Sequence, residues 1–241
     1  MSVKTTDREP TAAPPRPRRR GPAFWVGLAL LLAGLGLLGY VAWQFYGTNF
    51  VSEREQKQAV SQLERTWRAE AGAGAGVSGS VTRGEVPRGE AQALIRIPAF
   101  GRNYVMPVFA GVGENVLAKG FGHFPGTVGP GQKGNYALAA HRVTHGQPLR
   151  NMPELRPGDK IIVETRTTVY TYRLDTNPNN LIVSFRDVWV VDPLPHNPVR
   201  GGVQPAQKPG QRLITLTTCS ELFHTNNRMI AFGHLVGTQH R

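Results

Sequence analysis

Arg212-Leu213-Ile214-Thr215-Leu216-Thr217-Thr218-Cys219 is the stretch whose reading decides the fold. After Arg212 every residue up to Thr218 is apolar or β-branched, a composition that suits a pleated, half-buried surface, so the run predicts a strand with a thiol at its end. That thiol is the only cysteine in 241 residues. Further on, Asn227-Arg228-Met229-Ile230-Ala231-Phe232-Gly233-His234-Leu235-Val236 predicts a second strand opening with an arginine. Upstream, Tyr136-Ala137-Leu138-Ala139-Ala140-His141 predicts a third, ending in a histidine. A lone cysteine is commonly a small buried hydrophobe. Beside a histidine and an arginine at neighbouring strand ends it has another use. Those three residue types are the nucleophile, proton shuttle and oxyanion donor of acyl transfer.

Working outward, the segment 93–241 holds short alternating runs separated by Gly/Pro turns: 94–97, 104–109, 135–141, 160–166, 168–174, 181–185, 187–191, 212–218 and 228–236. Thr167-Thr168 divides two of them, which predicts a hairpin or a sharply bent strand. Glu114 to Lys119 and Met152 to Leu155 each suit a helical turn. This rhythm indicates an all-β sandwich or closed barrel with few helices. The stretch Asp192 to Gln211 has five prolines and three glycines and no periodicity. Leading straight into the cysteine strand, it is expected to wall one side of a site.

Ahead of the domain, residues 1–22 are rich in Pro, Ala and Arg and cannot bury a core, so they read as a disordered tail. Residues 23–46 carry no charge, and Phe24 through Val41 is apolar or glycine throughout, enough for one membrane-spanning helix. Trp25 at one end and Trp43, Phe45 and Tyr46 at the other suit interfacial belts. The run is long for a signal peptide, and no clear small-x-small cleavage site follows it. The basic cluster Arg18-Arg19-Arg20 precedes the span, which puts the N-terminus in the cytoplasm and the rest outside. Residues 47–92 read as a juxtamembrane helix, with Val60, Leu63 and Trp67 on one face, acting as a stalk and followed by the Ala/Gly/Ser linker 71–79.

Charge narrows the partners. Lys and Arg number 28 against 16 acids, with six basic and two acidic residues in the first twenty alone. No nucleic-acid-reading motif accompanies the excess, so an anionic membrane and cell wall suit it better than DNA or RNA. One cysteine excludes an internal disulfide.

The string His141-Arg142-Val143-Thr144-His145-Gly146, the Thr215-to-Cys219 motif and Asn227-Arg228-Met229-Ile230 resemble the sortase family of membrane-anchored cysteine transpeptidases. The likeness is strongest to the class E branch of high-GC Gram-positive bacteria, and it covers essentially all of 93–241. It implies a closed eight-stranded barrel with Cys219 as nucleophile, His141 as proton shuttle and Arg228 as oxyanion donor. It also implies a secreted protein with a C-terminal LAxTG- or LPxTG-type sorting signal as substrate, and a peptidoglycan-precursor amine as acceptor. Thr217, Thr218, Tyr104 and the 192–211 loop are candidates to line the peptide groove.

Seven histidines compete for the role of base. His224, between the two key strands, is the runner-up to His141. His123, His145 and His196 fall in turns or loops, and His234 lies inside the last strand. The His141-x-x-x-His145 spacing would suit zinc on a helix, but Val143, Thr144 and the Gly146-Gln147-Pro148 breaker argue against a helix, and no metal or cofactor is expected. Two rival functions remain. An L,D-transpeptidase would place its cysteine in a Ser-x-Gly-Cys-x-Arg motif, whereas Thr217-Thr218-Cys219-Ser220-Glu221 lacks the glycine and the arginine. A non-catalytic envelope-binding domain would need only the basic face.

Overall fold

A computed structural model describes residues 21–43, 47–72, 91–220 and 226–241. The N-terminal unit holds helix α1 (Pro22–Ala42), apolar along its length with no buried residue, and long enough to cross a membrane. The second unit begins at Trp43. It contains helix α2 (Thr48–Gly72), the short helix α3 (Glu114–Leu117) and nine strands. These are β1 (Ala91–Arg96), β2 (Met106–Ala110), β3 (Phe121–His123), β4 (Gly134–Ala139), β5 (Lys160–Glu164), β6 (Thr168–Leu174), β7 (Ile182–Ser184), β8 (Arg212–Cys219) and β9 (Asn227–His240).

The strands form one sheet in the order β6-β5-β1-β2-β3-β4-β8-β9-β7, and pairing of β6 with β9 closes eight of them into a barrel. The ninth, β7, hangs on the first residues of β9, matching Ile182 to Met229 and Ser184 to Asn227. Closure leaves the eight strands no free sheet edge. Two connections are parallel, β2 with β3 and β4 with β8.

Side-chain parity sorts each strand between two cores. Tyr136 and Leu138 of β4, Ile214 and Leu216 of β8, and Met229 and Ala231 of β9 belong to the barrel interior with Ile95, Val108, Phe121, Val163 and Tyr172. The alternate residues of β9, Ile230 and Phe232, pack outside it against Leu181 and Val190. Thr215 and Thr217 share that outer parity, yet the 181–191 segment covers the face and leaves them buried.

Thr215 shows how a hydroxyl is accommodated there. Its Oγ1 donates to Asn135 Oδ1 at 2.8 Å, and Asn135 Nδ2 donates to the carbonyls of Val190 and Asp192 at 3.2 and 3.1 Å. This network fixes residues 188–191, where the run Val188-Trp189-Val190-Val191 suggests a strand by composition. The segment is a 3₁₀ turn instead, because its backbone carbonyls answer Asn135 and Thr215 rather than a strand partner.

Three further departures from the sequence pattern have physical causes. Strand β3 has three residues, too few to show alternation, and its central glycine is there for space: a Cβ on Gly122 would meet the Gly111 carbonyl at 2.4 Å. Strand β9 runs to His240 because its C-terminal half serves β6. The loop 192–211 is ordered by its own amides, with Asn197 donating to the Val203 carbonyl and Gln207 to those of Pro195 and Pro205.

Helix α2 is not a free stalk. Ser52, Gln56 and Val60 are buried against the barrel unit, and farther along Glu64 pairs with Arg96 at 3.2 Å and Glu70 with Arg166 at 3.4 Å. The amphipathic face expected from Val60, Leu63 and Trp67 therefore has a partner within the chain.

Asn135→Ala should take a partner from the buried Thr215 hydroxyl and from the Val190 and Asp192 carbonyls, at a cost of about 2–3 kcal/mol. The expected fall in Tm by calorimetry is about 5–10 °C. A wild-type Tm would show that the network contributes little.

Candidate active site

The register of three strands builds the site. In the parallel pair β4–β8, Ala137 matches Thr215 and Ala139 matches Thr217, so one more step of two brings His141 level with Cys219. In the antiparallel pair β8–β9, Cys219 lies directly opposite Arg228. A histidine, a cysteine and an arginine thus form a row across one end of the sheet, on the outer parity of all three strands. Beneath that row the last turns of β4 and β8 are tied together. The Ala140 amide donates to the Thr217 carbonyl at 3.2 Å, and Thr218 Oγ1 donates to the Ala140 carbonyl at 2.7 Å.

All three side chains line a single cleft of about 680 Å³. Its floor includes Ala139, Thr217, Thr218 and Ile230, and its side wall is Val183, Phe185, Val188 and Val191. Phe185 and Val188 are half or more exposed, 50 % and 69 %, so the wall offers apolar surface to a ligand. Loop 192–211, expected to form this wall, contributes no residue to it; its Pro193, Leu194, Lys208 and Gln211 border a separate shallow depression. The wall comes from β7 and the 3₁₀ turn that the Asn135 network holds in place.

Two residues not singled out from the sequence join the row. Glu114, first residue of α3, places Oε1 3.3 Å from His141 Nε2. Arg142 donates from its guanidinium to the Ser220 carbonyl, linking the segment after β4 to the residue after Cys219. The sequence signal for Arg142 was its place in the His141-to-Gly146 motif, which assigns it no role, and Glu114 gave none beyond its place in an expected helical turn.

The other expected residues sort as follows. Thr217 and Thr218 line the cleft but are buried, and the Thr218 hydroxyl is occupied by Ala140. Tyr104 is not among the lining residues. Its ring meets Phe100 edge-on at 5.1 Å and its hydroxyl donates to the Pro148 carbonyl at 2.6 Å, so it pins the far end of the loop that follows His141. Burial raises the Tyr104 pKa above the usual phenol range and keeps it a donor.

His145 stacks on His141 with ring centroids 4.7 Å apart. His123 packs on Tyr136 at 4.8 Å, and burial pushes its pKa below the ordinary histidine range, which fits a structural role. His234 pairs with Asp175 at 2.7 Å, away from the cleft, and His196 is exposed in its loop. His224 lies outside the described residues.

Glu114, His141 and His145 bring donor atoms within 4.8 Å of one another, with no helix across 141–145, so by donor type they could hold a divalent ion. Arg142 and Arg228 line the same cleft, and their permanent charges oppose a cation there.

A family model for the sortase domain matches residues 95–236. The chain belongs to the sortase family. Its relatives include sortase SrtE1 of Streptomyces coelicolor, 33 % identical over 223 residues; the match covers 88 % of this chain and 56 % of that protein, so this chain spans little more than half the relative's length. Sortase E from Streptomyces avermitilis superposes with a TM-score of 0.57 at 37 % identity, over 64 % of this chain and 93 % of that one. Sortase E1 from Streptomyces coelicolor, solved with a tripeptide in the active site, gives 0.54 at 34 % identity, over 63 % and 91 %. Within the sortases the likeness is to class E, as the motifs around His141, Cys219 and Arg228 imply.

Tyr104→Phe separates a structural tyrosine from a groove residue. Loss of its hydrogen bond should cost about 1 kcal/mol, or roughly 2–4 °C in Tm, with KM for a cleaved peptide unchanged. A several-fold rise in KM at constant Tm would return Tyr104 to the groove.

Proposed function

We propose that this sortase is a membrane-anchored cysteine transpeptidase that cuts an LAxTG-type sorting signal after its threonine and joins the protein to a peptidoglycan-precursor amine. LPxTG is the related signal. The observation that carries the reading is the row His141, Cys219, Arg228 at one end of three paired strands, lining an apolar-walled cleft. Support for a peptide ligand comes from the Streptomyces coelicolor relative with its tripeptide.

In this mechanism His141 takes the Cys219 proton as sulfur attacks the threonine carbonyl carbon, and negative charge gathers on the carbonyl oxygen. The Arg228 guanidinium donates to that oxygen, an interaction strongest in the transition state and worth about 2.7–4 kcal/mol where one such donor is removed. Collapse of the tetrahedral species breaks the Thr–Gly bond, and His141 returns the proton to the departing glycine amine. A thioester to Cys219 remains. The acceptor amine attacks it, loses a proton to His141, and leaves an amide and a regenerated thiol. The apolar wall from Val183 to Val191 suits the leucine and alanine or proline of the signal.

Helix α1 would hold the enzyme in the membrane, with its N-terminus cytoplasmic and the barrel outside, where wall precursor and exported substrate meet. The glycine and arginine missing around Cys219 tell against an L,D-transpeptidase, as does membership of the sortase family. A thiol in the cleft beside His141 and Arg228 has no use in a purely envelope-binding domain.

Cys219→Ala and His141→Ala should each abolish cleavage of an LAxTG peptide, and mass spectrometry of the wild type should trap an acyl adduct on Cys219. Turnover by either variant would overturn the mechanism. Arg228→Lys should lose at least tenfold in kcat/KM, about 1.4 kcal/mol, because an ammonium on a flexible stem does not reproduce the planar fork. Near-wild-type rates for lysine would reduce Arg228 to a general charge.

A further inference from the structure

The loop that carries His141 away from β4 is held in an uncommon backbone shape. His145, Gly146 and Gln147 all have positive φ, at 53°, 76° and 53°. Two of the three have a Cβ, which crowds the following carbonyl in this left-handed region. Such a shape persists only where its surroundings enforce it. Within the loop, the Gln147 side chain donates to the Val143 carbonyl at 2.9 Å and the Leu149 amide to the His141 carbonyl at 2.9 Å.

A further restraint, besides the Tyr104 bond to Pro148, comes from almost a hundred residues earlier in the chain. Gln56 Nε2 of α2 donates to the His145 carbonyl at 2.9 Å, and Asn49 Oδ1 accepts from the Gly146 amide at 2.9 Å. Gln56 is 3 % exposed, an expense for a polar side chain unless its amide does something specific. The fit is close: a Cβ on Gly146 would meet Gln56 Oε1 at 2.5 Å, so any other residue there would push the Gln56 amide aside. His145, whose backbone the helix grips, stacks its ring on His141. The opposite end of α2 is fastened independently, by Glu64 to Arg96, Glu70 to Arg166, and Arg241 over the Trp67 ring at 5.6 Å. The helix is thus fixed to the barrel at one end and grips the histidine loop at the other.

We propose that α2 is a positioning element for the active site, in which Gln56 and Asn49 set the His145-Gly146 backbone and, through the stacked His145 ring, aim His141 into the cleft. The chain connects α2 directly to the segment following α1, so the element that sets the histidine also leads to the anchor. The proposal rests on the reading of His141 as proton shuttle. Gln56 and Asn49 touch neither thiol nor peptide; they act through the loop.

The test uses the full chain in detergent micelles, with Gln56→Met, Asn49→Ala, the double variant and, as control, Arg68→Ala on the exposed side of α2. Gln56→Met keeps volume and removes the donor without burying a charge, and Asn49→Ala gives a second route if it folds poorly. The expected result is a fall in kcat of about tenfold for LAxTG-peptide cleavage with KM within twofold, and a larger fall for the double variant. The His141 ring signals in NMR spectra of histidine-labelled protein should shift, and the Gly146 amide should exchange with solvent at least tenfold faster. Arg68→Ala should match the wild type in every readout. Wild-type kcat and unmoved His141 signals in both single variants, with only Tm lowered, would make α2 a structural brace and overturn the proposal. If His141→Ala is inactive while these variants run at full speed, the positioning role alone has failed. If His141→Ala cleaves normally, the catalytic reading has failed and this proposal falls with it.

Discussion

The parallel pairing of β4 with β8 is the constraint on which the rest depends. Side chains alternate faces every residue, so a one-residue slip would turn Cys219 inward and drop His141 out of line with it. Register is secured from both sides. Inside, Tyr136, Leu138, Ile214 and Leu216 are fully or almost fully buried. Outside, the Thr215–Asn135 bond ties the same two strands together under cover of residues 188–191. Antiparallel β9 then has only to match its first residues to the end of β8 for Arg228 to face Cys219. The row is a by-product of barrel pairing, and no flexible loop has to be folded into place to align the sulfur with the arginine.

The sequence made this row readable because each member ends or begins a strand of high β-propensity, and strand ends share a rim once the sheet is ordered. Barrel closure was not readable from pattern. Long-range pairing of β6 with the second half of β9 leaves no local trace beyond alternation, and β3 is too short to leave even that. The 3₁₀ turn at Val188–Val191 misled for a definite reason. Its β-branched composition reflects burial of Val190 in the outer core, and composition alone does not tell burial in a strand from burial in a turn. Glu114 was invisible and Arg142, though part of the histidine motif, had no legible role for the opposite reason: charged residues are common, and only the tertiary approach to His141 and Ser220 gives these two a partner.

Helix α2 was legible as a helix but not as a component of the site. Its amphipathic pattern names an apolar face without naming what covers it. The decisive residue on that face, Gln56, is polar, and it is buried where the loop after β4 presents a backbone carbonyl rather than a side chain to it. Tyr104 shows the complementary case. An aromatic near a suspected groove invites a ligand role, yet its hydroxyl is spent on the Pro148 carbonyl.

The partly exposed position of Cys219 at the cleft has a consequence in redox terms. No other thiol exists in the chain, so a sulfenic acid formed there has no internal partner with which to close a disulfide. Recovery would depend on a thiol reductant arriving from outside, and further oxidation to the sulfinic acid would be irreversible. A barrel stapled by disulfides would have offered that sulfur competing partners. By holding its fold together without any, this domain keeps its one thiol unshared, and leaves it to be rescued only by small molecules or other proteins able to enter the cleft.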